Sequence, residues 1–407
     1  MSGFFTIKET ESKDRPGGKK YSCISCGCYK NCTTPRMQPY GNFKKKILVI
    51  GSYAEEIDDR EGKPFQSRYG RYLERTLLKH DIDLFEDCLC MNACHCFITD
   101  EDSDTRTPTN YEVECCRKTT LKVIEDNKPH LILLLGNSAL FSLVGHRWKK
   151  DLGDIEKWRG WTISDQDFKC WICPVMDPKE VEQSKKEEIK TIWEQDIKRT
   201  VSMLQESIRI YKEPNIEILA EEDLQVLSTL RNDFAFDYET TGLKPHAEGH
   251  QIVCASIAVN ADFAYVFMMP TSRKARQPFI ELLKNPKIGK IAQNMKFEHT
   301  WSLIRLKTEV QNWVWDTMLA THILDNRPGV TGLKFQTYVQ FGIIDYASEV
   351  SSFLSATDNT NANNINNIMK LVEQSGGKEK LMKYCALDSI YEYRLSMIQR
   401  SIIELPF

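Results

Sequence analysis

The amino-acid sequence predicts two α/β domains, one over residues 1–208 and one over residues 209–407. Its length of 407 residues is enough for two or three domains of about 150 residues each. Twelve of the fourteen cysteines lie at or before Cys173, so the two halves differ in composition. Short apolar runs of strand length alternate with helical stretches, which is typical of a sheet covered by helices.

The overall charge excludes several classes of protein. There are 54 Lys and Arg against 57 Asp and Glu, a net charge of −3. This balance excludes a histone-like polycation, so any nucleic-acid site must be a local patch. The longest apolar runs, ILVIG and LILLLG, are far shorter than a membrane span, and the first residues are polar. We therefore expect a cytoplasmic protein.

The first half contains three strand-length apolar runs, at 46–51, 130–136 and 169–175. Helical stretches separate them, which predicts a parallel sheet. A charged helix is expected from about Pro178 to Leu204, because Ile189, Ile192, Trp193 and Ile197 recur at helical spacing. Pro214 cannot continue that helix, which favours a domain boundary near residue 208.

The cysteines of the first half occur in clusters. In a reducing cytosol, clustered thiols indicate a metal site more often than disulfides. Four thiolates suit either a [4Fe–4S] cluster or a structural zinc ion, and the residues alone leave both open. Five further cysteines are expected to be small core residues, namely Cys28, Cys32, Cys88, Cys90 and Cys94.

Five motifs of the first half resemble, in order, those of the family 4 (iron–sulfur) uracil-DNA glycosylases, especially phage versions. They are CISCGCYKNC, GSYAEEIDDREGKPF, NACHC with RTPTNYEVECCR, LLLGNSAL and PVMDPK. The resemblance implies a three-layer αβα fold and favours the [4Fe–4S] cluster over zinc. The cluster ligands that it implies are Cys23, Cys26, Cys96 and Cys116.

The resemblance also implies a base-binding pocket with altered chemistry. Ser52 replaces the family's water-activating glutamate, and Asp177 replaces the histidine that stabilises the departing uracil anion. A serine cannot act as the same base, and an ionised aspartate repels an anion. Phe65 remains for stacking and Asn92 for reading a uracil edge. Our hypothesis is a pocket that binds DNA or a base but cleaves no glycosidic bond; Glu55 is the alternative base.

The second half contains the strongest signal, a set of acidic residues in three segments. Asp237 and Glu239 end an apolar strand, and residues two apart in a strand point to one face. Glu298 lies in the segment QNMKFE, while Tyr384 and Asp388 are four apart and share one helical face. Acids in such places suit two Mg²⁺ or Mn²⁺ ions that hydrolyse a phosphodiester.

These segments resemble the DEDDy 3′–5′ exonuclease domain of family-A DNA polymerases, which has an RNase H-like (DnaQ-like) fold with a mixed sheet. The matching motifs are DYETTGL, QNMKFE, WDTMLATHIL and YCALD. The resemblance implies that Asp237 bridges two metal ions and that Glu239 and Asp388 complete the site nearer the water. It further implies that Glu298, where the family has aspartate, contacts the second ion and that Tyr384 positions the nucleophile.

Asp316, which precedes Thr317, is expected to be a helix N-cap instead of a metal ligand. Trp313 and Trp315 are expected to pack in the core, with stacking on bases as the alternative.

Together the two halves resemble the front end of phage family-A polymerases that carry a glycosylase-like domain. The expected function is removal of nucleotides from single-stranded or frayed DNA 3′ ends, in replication or repair. Because the chain ends at Phe407, a stand-alone nuclease or a partner of a separate polymerase is expected. Two alternatives remain: a uracil-DNA glycosylase fused to an exonuclease, and a non-catalytic DNA-binding partner of a polymerase.

Overall fold

The structure is a computed structural model and describes residues 21–99, 105–148, 151–356, 361 and 363–403. The chain divides into two compact units. The first runs up to Trp161 and includes Cys170–Ser207, and the second comprises Thr162–Lys169 and the chain from Ile208 onward. Within the described residues, no helix has both the length and the apolar character needed to cross a lipid bilayer.

The eleven described strands, in chain order, are β1 (Ile47–Gly51), β2 (Cys88–Asn92), β3 (Leu131–Leu135), β4 (Ile163–Asp165), β5 (Cys170–Val175), β6 (Asn215–Ile218), β7 (Phe234–Thr240), β8 (Ile252–Asn260), β9 (Phe263–Met268), β10 (Lys290–Ala292) and β11 (Trp313–Asp316). The described α-helices are α1 (Cys23–Cys26), α2 (Glu56–Glu61), α3 (Arg68–Leu78), α4 (Asn110–Asn127), α5 (Gly136–Arg147), α6 (Ile155–Trp158), α7 (Pro178–Gln183), α8 (Glu187–Ser202), α9 (Arg273–Lys284), α10 (Lys296–Trp301), α11 (Thr317–Leu324), α12 (Leu333–Phe341), α13 (Ile368–Val372) and α14 (Gly377–Ile403).

The first unit is built on parallel strands in the order β2-β1-β3-β5. Every residue of β1, β3 and β5 is buried, as expected when helices cover both faces of a parallel sheet. All three predicted strands of this half are therefore confirmed. In the register of β1 and β2, Gly51 pairs with Asn92. The residues that follow these strands consequently meet at one edge of the sheet.

The single long helix predicted from Pro178 to Leu204 is wrong. The structure contains two helices, α7 and α8, separated by Ser184–Lys186. Ser184 and Lys186 have extended backbone angles, so the helical hydrogen bonds stop between them. The apolar stripe predicted the second helix correctly, since Trp193 and Ile197 are buried.

The second unit is built on a mixed sheet in the order β11-β10-β7-β8-β9-β6. Strand β7 is central, parallel to β10 and antiparallel to β8. Its aromatic residues Phe234, Phe236 and Tyr238 pack into one core cluster, whereas Ala235 packs into the cluster formed with α14. Asp237 and Glu239 alternate with these aromatic residues, so they lie on the α14 face. The mixed α/β fold class predicted for this half is confirmed.

Candidate active site and thiol cluster

Two carboxylates of strand β7 lie close to a thiol of helix α14. Ligand atoms of Asp237, Glu239 and Cys385 all lie within 4.8 Å of one another. The thiol of Cys385, on α14, contacts the Asp237 main-chain oxygen and Oδ2, each at 3.6 Å. The prediction that Asp237 and Glu239 share one face is confirmed, whereas the sequence analysis missed Cys385.

Helix α14 presents Tyr384 and Asp388, both almost fully buried, on the side that packs against β7 and β8. The hydroxyl of Tyr346 donates a hydrogen bond to Asp388 Oδ1, and Tyr384 also hydrogen-bonds to Asp388. The rings of Tyr346 and Tyr384 stack with centroids 5.8 Å apart. Two phenols therefore orient one carboxylate, and Tyr346 was not predicted because it lies in a loop outside any motif.

Glu298 lies on α10 and is only 2% exposed. Its Oε2 atom is buried and has no hydrogen-bond partner. Asp316 caps the N-terminus of α11 through Met318 and Leu319, which confirms the N-cap prediction. The same carboxylate also accepts the backbone N–H groups of Asn294 at 3.2 Å and Met295 at 3.0 Å. Asp316 therefore holds the turn that leads into the helix of Glu298.

The expectation that the two tryptophans pack in the core is confirmed. Trp313 stacks on the buried Phe236 with ring centroids 5.4 Å apart. Trp315 packs against the other core cluster, and its indole N–H donates a hydrogen bond to Gln399 at 2.9 Å. Both rings are thus occupied by contacts within the second unit.

Burial and mutual repulsion raise the pKa values of the carboxyls in this site. Burial, together with the charge of Asp388, raises the pKa of Asp237 well above its usual range. Burial and the charge of Asp237 do the same to the pKa values of Glu239 and Glu298, and burial raises the pKa of Asp388. Like charges brought together in a poorly solvated place are stabilised by cations. The donor set, carboxylate oxygens with one unpartnered, fits hard divalent ions such as Mg²⁺.

Two further side chains of this region were absent from the sequence analysis. The exposed Lys334 lies with its Nζ 5.1 Å from the centroid of the Tyr384 ring. Its charge favours the ionised forms of Asp237, Glu239 and Asp388, lowering their pKa values in opposition to burial. Glu392 is 1% exposed with an unpartnered Oε2, one helical turn after Asp388. Only the i, i+4 spacing from Asp388 in the sequence could have indicated it.

In the first unit, Ser52, Phe65, Asn92 and Asp177 line one pocket, as the sequence analysis expected. Gly51 makes this packing possible, because a Cβ atom there would lie 2.5 Å from Asn92 Oδ1 and 2.8 Å from Phe65 Cζ. Ser52 Oγ lies 2.8 Å from Asp177 Oδ2 and 3.0 Å from the Leu135 carbonyl oxygen. Burial raises the pKa of Asp177 above its usual range.

Two oppositely charged residues that line this pocket form an ion pair. Lys179 Nζ donates a hydrogen bond to Glu55 Oε1 at 2.7 Å and lies 5.4 Å from the centroid of the Tyr53 ring. Burial opposes the lysine charge, but the pair with Glu55 outweighs it and raises the pKa of Lys179 to about 12. The carboxylate of Glu55 is therefore engaged by a permanent cation, which disfavours it as the alternative general base.

Two buried acids of helix α2, which follows β1, have structural roles. Asp59 accepts the backbone N–H groups of Thr33 at 2.7 Å and Thr34 at 2.8 Å. Asp58 accepts those of Glu55, Gln66 and Ser67. These bonds hold the turn around Phe65, whose φ of 63° is in the left-handed region, and connect it to the cysteine-rich segment.

The predicted cluster ligands lie on three segments, and among the described residues no three of their sulfur atoms lie within 4.8 Å of one another. Helix α1, with Cys23 and Cys26, packs against α4, which carries Cys116. Burial, with smaller contributions from the neighbouring Cys32 and Cys116 thiols, raises the pKa of Cys96 to about 12. Thiol donors are thus available for a cluster, and their softness fits iron–sulfur or zinc chemistry.

The expectation of core residues is confirmed for Cys88, Cys90 and Cys94, which are buried, and is wrong for Cys28 and Cys32, which are only half-buried. Cys28 Sγ lies 3.3 Å from Cys26 Sγ and 3.3 Å from Glu112 Oε1. Cys32 hydrogen-bonds to Cys96, and Cys94 to Cys116. Each of these three thiols therefore contacts one of the predicted ligands.

Two family models match the chain. Residues 38–197 match the uracil DNA glycosylase superfamily, and residues 211–403 match a 3′-5′ exonuclease family. The type-4 uracil-DNA glycosylase of Thermotoga maritima is 28% identical over 182 residues, which cover 45% of this chain and 89% of that protein. That of Saccharolobus solfataricus is 30% identical over 141 residues, which cover 34% of this chain and 62% of that protein.

Among solved structures, Brucella melitensis NrnC with bound Mg²⁺ aligns with 47% of this chain and 81% of its own. The TM-score is 0.33 and the sequence identity 20%. The assignment of the second unit therefore depends on the family model and on the residues described above.

Proposed function

We propose that this chain, which joins a uracil-DNA glycosylase superfamily domain to a 3′-5′ exonuclease domain, removes nucleotides from single-stranded or frayed 3′ ends of DNA. The exonuclease domain performs the hydrolysis, in replication or repair, alone or beside a separate polymerase. A phage protein acting in the cytoplasm of its host is the setting that we propose. The glycosylase-like domain contributes DNA binding.

The observation that carries this proposal is the close grouping of Asp237 and Glu239, with the buried carboxyls of Asp388 and Glu298 near enough to interact electrostatically with Asp237. Asp237 would bridge two Mg²⁺ or Mn²⁺ ions, Glu239 and Asp388 would complete one site, and Glu298 would hold the second ion. When bound, two such ions supply an activated water and stabilise the leaving oxygen of a phosphodiester. This assignment is supported by the raised pKa values of these carboxyls, whose first cause is burial.

The chain's own side chains complete the arrangement. The Tyr384 hydroxyl, held beside Asp388, would orient the attacking water, and Tyr346 would keep Asp388 in place. Lys334, exposed next to the Tyr384 ring, offers a cation to the phosphate of an approaching strand. Glu298 has one methylene more than the family's aspartate, and this longer side chain is buried on α10.

The first test follows digestion of an oligonucleotide labelled at its 5′ end, with Mg²⁺ or Mn²⁺. Asp237→Ala is expected to lower the rate by about 100-fold or more, a loss of roughly 2.7 kcal/mol of transition-state stabilisation. Glu309→Gln, at an exposed acid of the same unit, is the matched control and should retain the wild-type rate. Digestion that survives Asp237→Ala would contradict the assignment, as would products shortened from the 5′ end.

For the first domain, we propose a pocket that binds DNA or a base without cleaving the glycosidic bond. The Ser52 hydroxyl is hydrogen-bonded in the pocket, and Glu55 is paired with Lys179, so neither is a free general base. Asp177, where ionised, would repel a departing uracil anion. Phe65 and Asn92 remain against Gly51, where they could contact a base.

Uracil release tests this pocket. The Asp237→Ala protein is incubated with uracil-containing DNA, so that exonuclease products do not obscure the assay. We expect no free uracil above the level without protein. Release of uracil that is abolished by adding Asn92→Ala would instead establish a glycosylase and refute the proposal.

We also propose that the first domain holds a [4Fe–4S] cluster through Cys23, Cys26, Cys96 and Cys116, with zinc as the alternative. The contact between α1 and α4, and the influence of the Cys116 thiol on the pKa of Cys96, support this proposal. Iron content and a brown colour of the purified protein distinguish the cluster from zinc.

A further inference from the structure

The acid pair of the exonuclease domain has a soft neighbour. Cys385 is fully buried, and its thiol faces the Asp237 carboxylate directly. Among the described residues, the group formed with Glu239 has all its ligand atoms within 4.8 Å. Mg²⁺ prefers oxygen ligands, so a thiol does not contribute to a site for Mg²⁺. Thiolates favour metals such as Zn²⁺.

The distance between the sulfur and the oxygen matches a specific coordination geometry. Zinc binds cysteine sulfur at about 2.3 Å and carboxylate oxygen at about 2.1 Å, and in a tetrahedron these ligands lie about 3.6 Å apart. The observed distance from Cys385 Sγ to Asp237 Oδ2 is 3.6 Å. This separation, which in the absence of metal is that of a thiol–carboxylate hydrogen bond, is compatible with both atoms binding one zinc ion.

A second observation, on Glu298, also favours a cation near these acids. Glu298 is 2% exposed, its Oε2 is buried without a hydrogen-bond partner, and the charge of Asp237 acts on it. A buried carboxylate oxygen without a partner is costly unless a cation or a donor meets it. The site therefore combines a soft donor with excess negative charge.

We propose that Asp237, Glu239 and Cys385 form a site for Zn²⁺ that competes with Mg²⁺ and holds the exonuclease inactive. When the zinc–sulfur bond forms, the thiol proton leaves to solvent, and no electron is transferred. This inference rests on the proposed function, because Asp237 and Glu239 would serve both the inhibitory and the catalytic ions.

Cobalt, which occupies zinc sites, tests the ligand set without any measurement of activity. A thiolate bound to Co²⁺ gives charge-transfer absorption in the near ultraviolet, which carboxylates do not. The full chain is titrated with Co²⁺, and the difference between wild type and Cys385→Ser should contain this band. Cys385→Ala is the second variant, and Cys173→Ser, a buried thiol of the other unit, is the matched control that should retain the band.

Cys254 is the neighbour that could take the place of Cys385, since the two thiols hydrogen-bond to each other. The proposal expects Cys254→Ser to keep the band. The proposal is overturned if the difference spectra of both Cys385 variants lack the band, or if only Cys254→Ser removes it.

Zinc inhibition of Mg²⁺-supported digestion provides the second measurement. Each variant is compared with its own zinc-free rate, and Cys385→Ser should need at least tenfold more zinc for half inhibition than Cys173→Ser. Digestion with Mg²⁺ but no Cys385-dependent cobalt–thiolate band would refute the zinc site and leave the exonuclease assignment intact. A Cys385-dependent band in a protein that digests no DNA would support the metal site and refute the exonuclease assignment.

Discussion

Glu392 shows how a single buried charge can act on a site that it does not complete. It lies one turn beyond Asp388 on α14, with one oxygen unpartnered. Burial, followed by the charges of Asp237, Glu298 and Asp388, raises its pKa well above the usual range. When ionised, Glu392 adds a negative charge that favours cations in the neighbouring site.

We predict that Glu392→Gln raises the Mg²⁺ concentration needed for half-maximal exonuclease activity. An increase of about threefold to tenfold is expected from one charge removed at an effective dielectric constant near 20. Glutamine keeps the size of the side chain, so the effect should come from charge. The measurement is the initial digestion rate over a series of Mg²⁺ concentrations.

The matched control for this change is Glu379→Gln, an exposed acid on the same helix, which should leave the Mg²⁺ dependence unchanged. Glu392→Asp, which restores the charge, should recover part of the lost affinity. A Glu392→Gln protein with a lower rate but an unchanged Mg²⁺ midpoint would show a purely structural role.

At the scale of elements, helix α12 is bounded by two glycines in different surroundings. Gly342 follows its C-terminus with a φ of +69°, and a Cβ atom there would lie 1.7 Å from the Ser164 carbonyl oxygen. Gly332 is its N-cap and has nothing within 4 Å of that position. The helix end therefore approaches the Thr162–Lys169 segment of the same unit too closely for any side chain.

Gly342→Ala is expected to lower the free energy of unfolding by about 2 kcal/mol or more, because both the backbone angle and the steric clash oppose it. Gly332→Ala should lower the free energy of unfolding by only about 1 kcal/mol or less. Alanine is a poorer N-cap than glycine, but its Cβ atom meets no neighbour at this position. Thermal unfolding followed by fluorescence compares the two variants. Equal unfolding midpoints would show that α12 does not make this close approach.

At the scale of the whole molecule, the buried acids make stability depend on pH and on divalent ions. Their folded pKa values are raised, so above the ordinary carboxyl pKa of about 4 the folded state binds more protons than the unfolded state. In the absence of divalent ions, the free energy of unfolding should therefore fall as the pH rises through this range.

We predict that Mg²⁺ raises the unfolding temperature more at pH 8 than at pH 5.5, because protons no longer compete for the carboxylates. Thermal scans with and without Mg²⁺ at the two pH values measure the difference. Asp237→Asn should reduce the Mg²⁺-dependent shift. A shift of the same size at both pH values would argue against metal binding at these acids.

Several long-range features escaped the sequence analysis for a common physical reason. The pairing of Lys179 with Glu55 joins residues 124 positions apart, and that of Cys385 with Asp237 joins residues 148 apart. Periodicity within one strand or helix says which side a residue takes, but not which distant segment will pack there. The grouping of Thr162–Lys169 with the second unit is of the same kind.

The sequence by itself determined the α/β class of both halves and the motif carboxylates. Alternation along β7 and the four-residue spacing on α14 are local properties of the backbone, so Asp237 with Glu239, and Tyr384 with Asp388, could be assigned to common faces. Only the tertiary structure decided which side chains meet those faces. Tyr346, Lys334, Glu392 and Cys385 reach the acids because separate segments pack against the same sheet, and packing between distant segments leaves no local pattern.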